Sequence, residues 1–324
     1  MIIHDRVYGV SDIREPIILE LLHSQPLQRL KLINQAGASQ YLFPWKDVTR
    51  YEHSIGVYLL LKKFAASLEE QVAGLLHDTP HTAFSHVADF VFENEHHEYH
   101  EQFHESIIQN SEIKQILEKY NISMSVAHPE RYHLLERDIP ELCADRIDYA
   151  LRDFYAWKKD KEAVAAKLAG LTVHKGEFVF EDIYTAESFA RDYLELDKRI
   201  WADPRETAMY ELLAQAIRHA LDKKILSHAD FFTNDKTVLT LLKTKGDAFI
   251  QKKLSFLTPS FRIETATKQH YHLYIKTKTR YIDPKIITQG KLRRLSKISS
   301  RYEKLLYSHL EKRQKGWYIY VYPN

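Results

Sequence analysis

A chain of 324 residues, 44% hydrophobic and 28% charged, is long enough to bury a large core without staples. Its single cysteine, Cys143, excludes an intrachain disulfide framework and suits a reducing compartment. The run Met1–Asp5 lacks the basic-then-apolar layout of a signal peptide, and no apolar run approaches membrane-spanning length, so a soluble cytoplasmic protein without membrane contact is expected.

Gly and Pro are scarce, at 9 and 10, and apolar residues recur at helical spacing through most of the first 160 residues, which predicts a mainly α-helical body. Ile17–Leu22 and Leu27–Ile33 read as short helices around Pro26, and His53–Ala66 as a long one. Ser67–Leu76 reads as a helix capped by Ser67, with Glu70 three positions on, that delivers His77 and Asp78 at its C-terminal end. Further helices are predicted over Ala83–Phe92, His100–Asn110, Ser111–Tyr120 and Ile139–Lys158. Leu171–Phe180 has the pattern of a β-hairpin turning at Lys175-Gly176, followed by helices over Ala186–Ile200 and Arg205–Leu221. Alternation in Phe261–Thr265, His270–Lys276 and Trp317–Tyr322 indicates strands, with a basic helix between Lys291 and Lys312. Three parts are expected: a helical core over 1–160 carrying the site, a helical extension with a hairpin over 161–255, and a small basic α+β unit over 256–324.

The net charge of +2 is unevenly spread, with 14 Lys or Arg against 3 Asp or Glu between residues 266 and 315, or +11 there and −9 elsewhere. Such a segment suits phosphates, nucleic acid or an acidic partner face; a solvated helix face is the simpler account. Tyr residues interleave with the cations, which suits a single-strand surface but equally an amphipathic helix burying Tyr302, Leu306 and Leu310.

The most informative feature is His77-Asp78, an adjacent imidazole and carboxylate after the apolar run Val72–Leu76, with His53 upstream and Asp145 downstream. Two imidazole nitrogens and two carboxylates suit a borderline divalent ion. His53, His77, Asp78, His81, His86, Asp89, His96, His97, His100 and His104 all fall within 52 residues. Pro80 makes an uninterrupted helix through His81 unfavourable, so a turn or restart is expected there.

Three segments in order, Arg50-Tyr51-Glu52-His53-Ser54-Ile55-Gly56-Val57, His77-Asp78-Thr79-Pro80-His81-Thr82-Ala83-Phe84-Ser85-His86 and Ala144-Asp145-Arg146-Ile147-Asp148-Tyr149-Ala150-Leu151-Arg152-Asp153, resemble the signatures of HD-domain phosphohydrolases. The closest branch is the deoxynucleoside triphosphate triphosphohydrolases. The resemblance runs from about Gln28 to Asp153 and more faintly through Tyr281-Ile282-Asp283-Pro284. It implies an HD-domain helical bundle, mainly α with a small C-terminal α+β appendage, and His53, His77, Asp78 and Asp145 as ligands of one divalent ion: Mn, Fe, Zn or Mg. It further implies His81 and His100 as proton-transfer groups, with Asp89 orienting or charging His100, and Gln35, Arg50, Arg146, Tyr149 and Asp153 as contacts to a nucleotide. Members often form homo-oligomers, and one is expected here.

Two departures stand out. Pro80 replaces the usual glycine between the His-Asp pair and the next histidine, and Asp203, in Ile200–Arg205, stands where triphosphohydrolases carry a histidine contacting sugar and phosphate. A carboxylate there would repel a triphosphate. Three readings follow: a triphosphohydrolase, an HD phosphatase or phosphodiesterase on another small phosphoester, or a nucleotide- or nucleic-acid-binding module without chemistry.

Overall fold

The computed structural model describes residues 1–94, 99–313 and 315–322; His96 and His97, two alternatives to His100, lie outside them. Two helices form the centre. In Arg50–Lys63, Thr49 caps the start by accepting the Glu52 N–H at 3.2 Å, and the helix is buried on all sides from His53 to Leu61, as a central helix must be. In Leu68–Leu76 the predicted cap is present, the Ser67 hydroxyl accepting the Glu70 N–H at 3.2 Å. Gly74 lets the two helices touch, since a Cβ there would meet Leu61 Cδ1 at 2.4 Å. This close approach sets His77, at the end of the second helix, against His53, in the first turn of the first.

The helix Ala144–Lys158 packs beside Arg50–Lys63 and starts five residues later than expected, behind Pro140. Likewise the expected helix 83–92 shortens to Val87–Val91, because Phe84 and Ser85 adopt positive φ of 60° and 51°. That turn is bound from a distance: Asp235 accepts the Phe84 N–H at 2.7 Å and the Asn34 N–H at 3.0 Å, and the Ser85 hydroxyl donates to Asn34 O at 2.7 Å.

Strands β1 (Ile2–Asp5) and β2 (Gly9–Asp12) form an antiparallel hairpin not foreseen from sequence. Strands β3 (Leu171–His174) and β4 (Glu177–Phe180) form the predicted hairpin, with Lys175 and Gly176 both at positive φ. Strands β5 (Arg262–Thr265) and β6 (Leu273–Ile275) flank β9 (Trp317–Tyr322), while β7 (Lys285–Thr288) and β8 (Lys291–Arg294) extend the hairpin β3–β4 in the order β3-β4-β7-β8. The basic helix expected from Lys291 is therefore a strand at its start, and the helix spans Ser300–Arg313. Apolar packing runs across positions 160 and 255: Ile282, Ile286, Leu295, Tyr302 and Leu306 join the core of the helices Arg50–Lys63 and Leu68–Leu76. Phe256, Phe261, Ile275, Ile319 and Val321 instead join the core around Pro204–Asp222.

Part of the C-terminal positive charge is used internally. Lys285 and Arg294 pair with Glu141, Arg301 with Glu187, and Arg313 with Asp197. No helix among the described residues is long and apolar enough to cross a membrane.

Asp235 carries a testable consequence. Burial lifts its pKa to about 6 against the pull of the N–H groups it accepts. The folded chain then holds a proton that the unfolded chain has lost between about pH 4 and pH 6. The stability this provides is complete below the ordinary carboxylate pKa and lost as pH rises through about 6. At about 1.4 kcal/mol per pKa unit, the difference in urea-unfolding free energy between wild type and Asp235→Asn should change by roughly 2–3 kcal/mol over that window. A pH-independent difference would refute the assignment.

Candidate active site

His53 and His77 point Nε2 at one another across 3.3 Å, and Asp145 Oδ1 lies 2.9 Å from the first and 3.6 Å from the second. These three form a cluster able to hold a metal ion. Asp78 closes the fourth side, its Oδ1 3.5 Å from His77 Nε2 and its Oδ2 3.9 Å from His53 Nε2. An ion with bonds of about 2.0–2.2 Å needs donor–donor edges of roughly 3–3.6 Å, which the distances among His53, His77 and Asp145 match, with Asp78 beside them. The donors do not select among Mn, Fe, Zn and Mg.

The groups behind the donors explain why these lone pairs converge. His77 Nδ1–H donates to Gly74 O at 2.7 Å and His53 Nδ1–H to Asp148 Oδ2 at 2.7 Å, which leaves both Nε2 atoms as free acceptors. Asp148 is gripped in turn by Arg152 Nε at 2.7 Å, and the fully buried Arg152 reaches Asp5 at 2.7 Å and Glu52 at 3.1 Å. The hairpin β1–β2 is thereby wired to a metal-site histidine. Burial alone would lower the His53 pKa, but Asp145, Asp148 and Asp78 lift it to about 10; without an ion, an imidazolium balances these carboxylates. For Asp78, burial raises the pKa, but Arg50 and the two histidines outweigh it and bring it to about 2. Burial likewise acts against ionisation of Asp145, yet hydrogen bonds to His53 and His77 hold it well below the usual range.

His81 is buried beside the donors, with Nε2 3.3 Å from Asp78 Oδ1 and Nδ1 without a partner among the described residues. His100 stacks on it at 3.7 Å between ring centres. Burial first, and then positive neighbours, keeps His81 far below its ordinary pKa and His100 at about 3. Asp89 Oδ2 takes the His86 ring at 2.9 Å and its Oδ1 the Tyr99 N–H at 3.0 Å, and its negative charge also acts on His100, favouring the protonated imidazole against burial. His104, the other alternative, is turned away to Leu76 O at 3.1 Å.

The expected substrate contacts divide. Arg50 stands at the site, its Nη1 2.9 Å from both oxygens of Asp78 and its Nε 3.0 Å from Ser85 Oγ. Gln35 Oε1 is buried without a partner among the described residues. Tyr149 and Asp153 continue the helix beyond Asp145; the Tyr149 hydroxyl meets that of Tyr193 at 2.5 Å, and Asp153 accepts the Trp201 indole N–H at 2.6 Å. Arg146 departs from expectation, because its Nη1 braces the preceding loop through Glu141 O at 2.7 Å and Arg137 O at 3.1 Å. Asp203 is engaged within its own helix. It caps the helix Pro204–Asp222 through the Arg205 N–H at 2.9 Å and pairs with the Arg205 guanidinium at 2.6 Å. Asp148, Arg152, Asp5 and Trp201 received no role from sequence; the i, i+4 spacing of Asp148 and Arg152 was the available signal.

A family model described as HD domain matches residues 50–169. Over 324 residues the chain is 39% identical to the uncharacterized protein YdhJ of Bacillus subtilis, covering 99% of each. Over 252 residues it is 35% identical to the metal-dependent phosphohydrolase cns2 of Cordyceps militaris, covering 72% of each. Its likeness to human deoxynucleoside triphosphate triphosphohydrolase SAMHD1 is narrower, 31% identity over 37% of this chain and 23% of that one. Among solved structures, a phosphohydrolase from Bacteroides thetaiotaomicron shares the fold with a TM-score of 0.76, 21% identity and complete coverage of both chains.

Proposed function

The chain belongs to the HD-domain metal-dependent phosphohydrolases, and from that premise we propose that it hydrolyses deoxynucleoside triphosphates at the bond to the 5′ oxygen, releasing deoxynucleoside and triphosphate. The observation that carries the hydrolytic reading is the convergence of His53, His77 and Asp145, with Asp78 alongside, on one point backed by Asp148 and Gly74 O. A divalent ion held there supplies Lewis-acid stabilisation of phosphate charge and acidifies water. Arg50 lies where it can share a phosphate oxygen with Asp78's side of the site, and its planar fork suits that contact. His81 and His100 stand next to the donors as the groups to pass a proton to the leaving oxygen, and an arriving phosphate dianion would favour their charged forms. Gln35, Tyr149 and Asp153 are assigned to the nucleoside.

The triphosphate specificity is supported by the likeness to SAMHD1, while Asp203 is paired with Arg205 in its own helix cap. The test is a nucleotide panel with Mn, Fe, Mg or Zn, and with His77→Ala and Asp78→Ala as controls. Intact triphosphate released from dGTP or dATP is expected. Inorganic phosphate from monophosphates alone would replace this reading with a phosphatase, and no turnover with any nucleotide would end it.

A further inference from the structure

Most cations near the site are already committed: Arg50 to Asp78, Arg205 to Asp203, Lys46 to Glu206, and Arg146 to backbone carbonyls. Arg280 differs, since its guanidinium makes no hydrogen bond or ion pair with a described side chain. It stands over Trp201, Cζ 5.9 Å from the ring centre. Trp201 packs at 5.3 Å on Tyr149 and 4.9 Å on Tyr193 and donates to Asp153, so this aromatic wall begins one helical turn beyond the donor Asp145. The positive charge of Arg280 is felt by Tyr149, Tyr193, Tyr210, Asp153 and His86, groups on separate elements that ring the site.

The loop that carries Arg280 is pinned. Asp197, fully buried at the head of the π-helical turn Asp197–Trp201, accepts the Arg280 backbone N–H at 3.3 Å and Arg313 Nε at 2.9 Å. Arg313, from the C-terminal helix, also binds the Thr277 hydroxyl. A guanidinium carried on a loop held through its backbone, set 5.9 Å over an indole and making no direct ion pair with a described carboxylate, is suited to receive an anion.

We propose that Arg280 binds the substrate phosphate lying beyond the one held at the metal donors, making this residue the determinant of a polyphosphate over a monophosphate substrate. This rests on the triphosphate reading above. It also assigns the C-terminal segment a task at the active site, with Asp197 and Arg313 as positioning residues.

The test is calorimetric titration of inorganic triphosphate into manganese-loaded wild-type, Arg280→Gln and Arg280→Lys proteins, alongside kinetics on mono- and triphosphates. Triphosphate affinity should fall at least about tenfold in Arg280→Gln, with Arg280→Lys between. The ratio of KM for triphosphate to KM for monophosphate should rise by a similar factor. If Arg280→Gln does not fold, Arg280→Lys carries the comparison. Wild-type protein that binds no triphosphate, or binds it no better than the variants, overturns the assignment. Should the wild type turn over no triphosphate, the hydrolytic reading fails on its own, and the titration still decides what Arg280 does.

Discussion

Alanine at His77 is expected to give a folded protein that holds no divalent ion and whose turnover falls by at least about 10³-fold, or some 4 kcal/mol of barrier. The loss removes one of two nitrogen donors and leaves Asp78 and Asp145 facing each other with only His53 between them. Three donors, two of them anionic, are a poorer and less selective ligand set than four. His77 lies at the end of its helix, its Nδ1 on Gly74 O and its Nε2 among the other donors, so truncation falls on the site more than on the apolar core. The informative companion is His104→Ala. That imidazole is equally buried, and burial lowers its pKa to about 4, but it bonds Leu76 O rather than the donors. His104→Ala should lose roughly 1–3 kcal/mol of stability and keep its metal. Metal content per chain and turnover check both; a His77→Ala protein purified with one ion per chain would remove the site from the mechanism.

That contrast marks what could be read in the sequence. That His53, His77 and Asp145 would come together was legible because adjacency, order and segment context all pointed to one place, and Ser67–Glu70 announced the helix that delivers His77. Individual histidines were less legible. His100 and His104 share a helical spacing, and only the packed structure shows the first stacked on His81 and the second serving the backbone. The His86–Asp89 contact, three residues apart on a shared turn, was not read from the sequence beside the one expected between Asp89 and His100. The basic region read as a surface since counting charge does not reveal that Glu141, Glu187 and Asp197, far away in sequence, face it. The hairpin β7–β8 did leave a trace, Gln289-Gly290 between alternating residues, and both adopt positive φ of 50° and 72°. Arg280 left none, as its position depends on Asp197 and Arg313 together.

Gly56, quoted only as part of a motif, should be among the least replaceable residues in the chain. It lies in the helix Arg50–Lys63 with ordinary backbone, so its requirement is for space and not conformation. A Cβ at this point would sit 1.8 Å from Arg152 Nη2 and 2.1 Å from Asp148 Oδ1. Long side chains usually swing aside, but Arg152 is fully buried and its three nitrogens are held by Asp148, Glu52 and Asp5. Moving it would strand carboxylates in the interior. Breaking a buried pair of this kind costs about 3–5 kcal/mol, more than the overpacking alone. The damage should also reach the metal, since Asp148 fixes the tautomer of His53 through the Nδ1–H bond, and such supporting contacts are worth about 10–100-fold in metal affinity. Gly56→Ala is therefore expected to lose both stability and ion affinity, while Asp148→Asn, which keeps the shape of the side chain, should lose more affinity than stability. Urea unfolding and competition with a metal chelator separate the two effects. A Gly56→Ala protein with wild-type stability and affinity would show that the Arg152 network is free to repack and does not set the geometry of the donors.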